Sequence, residues 1–197
     1  MKKVNFGCFN SNISGWIGVD HAWRHIVLSK TPLISWMLWK MKIIKREQYV
    51  WHKDGLFKSV KYGDVTRKLK FHTSSVDFIY SSHLLEHLWR DDAYFFLKES
   101  YRILKKGGVL RICTPDWNIY RMQETFKDSL FARNKSELRV SHKWCWCFIE
   151  LAETLDKIGF ISISKQEFGE GDFPDLSILE CCKRDRRPRV LAIQGKK

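Results

Sequence analysis

No CxxC pair occurs in this chain, and the spacing of Cys8, Cys113, Cys145, Cys147, Cys181 and Cys182 matches no zinc framework. That leaves no sequence case for a structural metal site. No secretory leader follows Met1-Lys2-Lys3, so the thiols are expected to be reduced and the setting cytoplasmic. A membrane-spanning run is also missing. The longest apolar stretch, Pro32 to Trp39, is interrupted by Lys40 and Lys42 and is too short to cross a bilayer. Internal repeats are absent, as are RNP-type, zinc-finger and helix-turn-helix patterns. The formal charge of +13 therefore does not by itself designate nucleic acid; it equally suits an anionic membrane surface or a phosphorylated substrate. Part of that charge gathers at Lys183, Arg184, Arg186, Arg187 and Arg189.

What is present is enough for a packed domain. The chain has 197 residues, of which 44% are apolar, and one unit spanning 1–197 is expected. Short strand-like runs appear at Val4–Phe6, Trp16–Asp20 and Val60–Tyr62, the first leading into a polar turn at Asn10-Ser11-Asn12. Between the second and third lies a stretch, 21–58, that reads as a helical insertion rich in tryptophan and lysine. Its part from 32 to 46 would suit contact with a membrane surface, or packing on the domain. Strands are expected at Val76–Tyr80 and Val109–Thr114, with a helix between them over Asp91–Leu104, closed at Gly107-Gly108. A helix or loop from Asp116 to about 127, a polar connection at 128–141, and a helix at Phe148–Ile158 closed by Gly159 follow. An alternating run at Phe160–Phe168, a turn-rich stretch at Gly169–Pro174 and a last strand at Arg189–Gln194 complete the pattern. Alternating β and α elements predict an α/β fold: a Rossmann-like, doubly wound, mostly parallel sheet whose last two strands form an antiparallel edge hairpin.

Ligands of such sheets sit at the carboxyl ends of the strands. A nucleoside cofactor there needs a tight glycine turn after the first strand, an acid after the second for the ribose, and polar groups at later strand ends. Gly7-Cys8-Phe9 stands at the first place and Asp20 at the second, where it could also be a loop or helix-capping aspartate. Asp64-Val65 follows the third strand, with a turn aspartate as the alternative. Ser81, Ser82 and His83 follow the fourth. His83 could act as a base near neutral pH or simply cap a helix. His83 and His87 are four apart and could share a helix face, but the sequence places no third metal ligand, and no metal is expected.

The segments SSHLLEHL, from Ser81, and LKKGGVLRICTPD, ending at Asp116, closely resemble the second half of class I S-adenosylmethionine-dependent methyltransferase domains. They look most like the small methyltransferase type 11 group found among cell-surface and polysaccharide-biosynthesis enzymes. ETLDKIGF and the C-terminal segment from GDFPDL onward resemble that group too, so the likeness runs through most of the chain except 21–58. It implies S-adenosylmethionine as cofactor, held by Gly7, Cys8, Asp20, Asp64, Val65, Ser81 and Ser82, with His83 and His142 beside the acceptor. It also implies methyl transfer to a small-molecule or saccharide-type acceptor. The chain departs from the family at Phe9, where relatives carry a second glycine. That departure supports an alternative: a catalytically silent relative that binds or scaffolds. The basic, aromatic-rich composition supports a third, an RNA-modifying or nucleic-acid-binding protein. Neither the acceptor nor the oligomeric state is legible in the sequence.

Overall fold

The computed structural model describes residues 1–9, 13–120, 142–180 and 190–197. The turn at Asn10–Asn12, the helix or loop expected from Asp116 to about 127 beyond Tyr120, the connection at 128–141, the basic cluster from Lys183 to Arg189, and Cys181 and Cys182 lie outside the described residues. Seven strands form one sheet in the order β3-β2-β1-β4-β5-β7-β6. They are β1 (Lys3–Phe6), β2 (Trp16–Asp20), β3 (Lys61–Tyr62), β4 (Val76–Ser82), β5 (Leu104–Pro115), β6 (Ile161–Gln166) and β7 (Val190–Lys196). The first five run parallel, and β7 lies antiparallel between β5 and β6. This is the expected Rossmann-like arrangement, with the antiparallel pair at its edge. The parallel register brings Phe6 beside both Val19 and Ser81, and Ser82 beside Cys113. The carboxyl ends of β1, β2, β4 and β5 therefore open on one edge of the sheet.

Alternation along the strands divides the core in two. Val4, Phe6, Ile79, Leu110, Ile112, Leu191 and Ile193 face the helices α4 (Arg90–Ile103) and α6 (Phe148–Ile158). Ala93, Phe96 and Leu97 on α4, and Leu151 and Leu155 on α6, recur at three- and four-residue spacings and supply the apolar stripes. Gly159 ends α6 at φ 111°, a backbone that a side chain would strain. Helix α4 ends within one residue of the expected Leu104, but Gly107-Gly108 does not close it. It stops at Ile103, and Leu104 already has extended backbone and pairs with Val76. Gly107, at φ 77°, instead bends the strand, and its N–H reaches the carbonyl of Lys197.

The other face carries Trp16, Tyr80, Val109, Cys113 and Ala192. Among the described residues it is covered by Phe173 and by Leu176 of the short helix α7 (Leu176–Leu179). An ion pair is buried there. Arg111 on β5 and Glu180 are both shut off from solvent and meet through two hydrogen bonds of 2.6 and 2.9 Å. Arg111 also donates to the carbonyls of Glu170 and Glu167, each at 3.0 Å, and Gly169 N–H donates to Glu180. The pair ties the loop after β6 to the sheet. Burial works against the Arg111 charge, but Glu180 outweighs it and raises the pKa above the usual arginine value.

Between β2 and β3 stand α1 (Trp23–Lys30), α2 (Pro32–Lys40) and α3 (Arg46–Lys53). Pro32 opens α2, where its missing N–H costs nothing. The group packs onto the end of β1 through Cys8, which is buried with Ile26, Phe57 and Val60. Inside it, His25 Nδ1 lies 2.8 Å from His52 Nε2, and His52 Nδ1 lies 2.6 Å from Ser35 Oγ. Among the described residues, no helix is long and apolar enough to cross a membrane. The remaining helix, α5 (Trp117–Tyr120), opens after Asp116, whose carboxylate accepts from Asn118 N–H at 2.9 Å.

Candidate functional site

The strand ends collect most of the residues singled out from the sequence. Gly7 leaves β1 at φ 70° and donates to the carbonyl of Val19 at 2.9 Å. A Cβ at that position would come 3.0 Å from Leu84 Cβ, so glycine is required twice, for conformation and for the close approach of the segment after β4. Phe9 also has a left-handed backbone, φ 44°, although it is not glycine. Its ring packs edge-on against Phe57, Trp51 and His25, at centroid distances of 5.0, 5.6 and 5.9 Å. Thus Phe9 is held by the helical group after β2. Cys8 is inert as a nucleophile: burial first, and then the charge of Asp20, push its thiol up to about 12.

Asp20, at the end of β2, accepts from Phe9 N–H at 2.8 Å and from Ala22 N–H at 2.9 Å. One carboxylate oxygen is used for each, so the side chain is fixed while an outer lone pair on each oxygen remains for hydroxyl donors. Gly63 N–H donates to the Asp20 carbonyl at 3.0 Å, which brings Asp64 up beside the same edge. The Asp64 carboxylate folds back onto Thr66, accepting from its N–H at 3.0 Å and its hydroxyl at 2.7 Å. Burial would raise its pKa, but those two bonds, with His21 and Arg67, hold it below the usual aspartate value. This is the turn geometry weighed for it in the sequence. Val65 is partly buried and packs against the main core.

After β4, the Ser81 hydroxyl is buried and has no hydrogen-bond partner among the described residues. Ser82 lies beside it on the last rung, opposite Cys113. His83 then turns left-handed at φ 50°, its N–H held by the Cys113 carbonyl at 2.9 Å. No α-helix follows directly. Leu85–His87 is a single 3₁₀ turn, and α4 starts only at Arg90, so His83 and His87 do not share a helix face and His83 caps no helix. His83 Nδ1 instead lies 2.9 Å from Glu86 Oε1. Glu86 is fully buried, and its other oxygen accepts from Thr114 Oγ1 at 3.2 Å. A carboxylate only accepts, so the contact assigns the proton of neutral His83 to Nδ1 and its lone pair to Nε2.

The segment before α6 closes over this group. Lys143 N–H donates to the Glu86 carbonyl at 2.7 Å, and Trp146 bridges to Asp116. His142 thereby reaches His87, ring centroids 5.1 Å apart. Ligand atoms of Glu86, His87 and His142 all lie within 4.8 Å of one another, a group that leaves out His83 and so differs from the His83–His87 pair considered in the sequence. His142 Nδ1 is buried with no partner among the described residues. Burial lowers its pKa, with His87 and His83 adding to that and Glu86 opposing it. The Glu86 network was the feature that sequence reading missed. Its only trace was an acid next to His87 between the leucines of the LLEHL run, and Thr114 is a partner that no local pattern would name. Next to Asp20, a cavity of about 380 Å³ opens among the insertion helices, lined by His21, Trp23, Arg24, His25, Ile43 and His52.

Comparison with known proteins agrees with this architecture. Residues 40–112 match the family model of a methyltransferase domain. A S-adenosylmethionine-dependent methyltransferase from Methanosarcina mazei superposes with a TM-score of 0.58 at 18% identity, covering 100% of this chain and 92% of its own. This is a class I methyltransferase fold. A methyltransferase of the same kind from Thermotoga maritima gives 0.56 at 20% identity, with 100% and 82% covered. One from Archaeoglobus fulgidus gives 0.54 at 17%, with 100% and 86% covered. No curated protein matches the sequence. The family match begins after the Gly7 turn and Asp20, so the half of the methyltransferase sheet that departs from the family at Phe9 is recognised through its shape.

Proposed function

We propose that the protein is a S-adenosylmethionine-dependent methyltransferase acting on a small-molecule or saccharide-type acceptor, the whole chain forming one unit with 21–58 as its insertion. The observation that carries this reading is the row of groups on one sheet edge: the Gly7 turn, Asp20 clamped by two N–H groups, the orphaned Ser81 hydroxyl, and His83 held by buried Glu86. The residues fit the cofactor. Asp20 is rigid, with capacity for the ribose hydroxyls, and Ser81 is a buried donor in need of a partner. Bound there, S-adenosylmethionine would supply an electrophilic methyl group on a sulfonium. Transfer of that group is chiefly a matter of alignment in a dry site. For a hydroxyl acceptor, His83 Nε2 would accept the hydroxyl proton while the methyl group exchanged its bond to sulfur for one to oxygen, the neutral thioether leaving, and Glu86 would stabilise the resulting imidazolium.

Isothermal titration with S-adenosylhomocysteine tests the reading. Saturable binding is expected, weakened by about 1–3 kcal/mol in Asp20→Ala. The second reading, a silent relative serving as a scaffold, is favoured by one observation, the phenylalanine at position 9. Absence of binding at millimolar ligand would select it.

A further inference from the structure

The outer surface of the insertion is apolar where a surface helix is normally polar. On α2, Leu33, Met37 and the capping Met41 recur every four residues, Trp36 stands three after Leu33, and all four are exposed, Leu33 by 69% and Met41 by 65%. The residue this helix turns fully inward is a serine, Ser35, bonded to His52. Trp39 is occupied in a stack on Tyr49, rings 5.0 Å apart and nearly parallel. Helix α1 adds exposed Trp23 and Val27, one turn apart, and Ile34 and Ile43 extend the same exposed set. A patch of this kind marks a contact surface.

Its charge says what it contacts. From His21 to Arg46 the chain contains no aspartate or glutamate, but it holds Arg24, Lys30, Lys40, Lys42, Lys45 and Arg46. The Lys40 ammonium sits 4.8 Å above Trp39 and 5.9 Å from the ring centre of Trp36. Tryptophan, leucine and methionine beside lysines, without any acid, is the composition of an element that lies in a headgroup layer. A second copy of the chain would oppose this basic patch with the same charges and nothing to offset them, which disfavours a two-fold contact.

We propose that α1, α2 and the turn after them dock the protein on an anionic lipid bilayer, the apolar side chains entering the interface and the lysines meeting lipid phosphates. Trp23 and Ile43 belong both to this face and to the lining of the cavity beside Asp20, so docking sets that cavity against the lipid. The proposal stands apart from methyl transfer and does not depend on it.

Vesicle co-sedimentation decides the matter. With about one-third phosphatidylglycerol in phosphatidylcholine, the partition coefficient is expected to exceed that on pure phosphatidylcholine by at least about tenfold, and to fall as salt is raised. Trp36→Ser with Met37→Ser, both exposed, should reduce it by at least about tenfold, the lower bound for losing two inserted apolar groups. Lys40→Gln with Lys42→Gln and Lys45→Gln should remove the preference for anionic lipid, and serves as the second variant set should the first misfold. Lack of binding to the anionic vesicles, or equal binding by folded variants, overturns the proposal. So does sedimentation velocity showing self-association of the native chain that is lost in Trp36→Ser, which assigns the face to a second copy.

Discussion

Acidification should loosen the insertion before it loosens the sheet, because His52 is buried as a neutral imidazole. Burial first, and then the neighbouring His25, hold its pKa down to about 4, against 6.5 for an ordinary histidine. The neutral chain Ser35–His52–His25 can be satisfied with the protons running in either direction. A first added proton must sit among apolar groups, and a second would leave two donors facing each other. Between pH 6.5 and 4 the unfolded chain therefore binds a proton that the folded chain refuses. Stability is fully present above the unfolded pKa and is lost as pH falls through that window. At 1.36 kcal/mol per unit, the loss by pH 4 is about 3 kcal/mol. His25, also lowered by its burial and by Arg24, adds in the same direction. Urea denaturation at pH 7, 6, 5 and 4, followed by tryptophan fluorescence, measures this in the native chain and in His52→Gln. The native protein should lose its advantage over the variant across that range. Hydrogen exchange should place the early opening in 23–53, and the His52 ring resonances should titrate near pH 4. Parallel pH slopes in the two proteins, or a His52 midpoint near 6.5, would refute the reasoning.

Two other expectations can be checked directly. Glu180→Ala leaves the Arg111 guanidinium buried without its carboxylate, and chemical denaturation should show a loss of about 3–5 kcal/mol; a loss under 1 kcal/mol would mean that the loop opens and hydrates the arginine. Phe9→Gly removes the strain of a left-handed non-glycine residue, about 1–2 kcal/mol, but also deletes the contacts with Phe57, Trp51 and His25. S-adenosylhomocysteine affinity is expected to stay within about 0.5 kcal/mol, as for a side chain that shares no partner with the ligand; binding that appears only in the variant would mark the ring as a block.

Much of the sheet could be read in advance because its causes are local. Trp16–Asp20 and Phe148–Ile158 have the periods, and Gly159 the stop, that dictate strand and helix whatever surrounds them. The order of these elements, with right-handed parallel crossovers expected, then leaves few topologies open. Gly7 and Asp20 could be named because the chemistry of a strand end depends on sequence position in such a sheet. The end of α4 was read to within a residue, but the early start of β5 escaped, because tertiary pairing of Leu104 with Val76 draws the chain into the sheet before the glycine pair. Glu86 escaped as well, since its meaning lies in Thr114 and His142, brought to it by a strand and a loop far along the chain.

What the sequence determined by itself, then, was the alternation of elements, the parallel sheet and the set of residues stationed at its strand ends, because backbone propensity and hydrophobic period act over a few residues. Only the tertiary structure decided that Arg111 is a buried ion and not a surface charge, that Phe9 leans into the insertion, and that α2 turns its apolar side outward. Each of these depends on which distant group supplies a counter-charge, a ring or a covering surface, and such partners are set by the folded geometry alone.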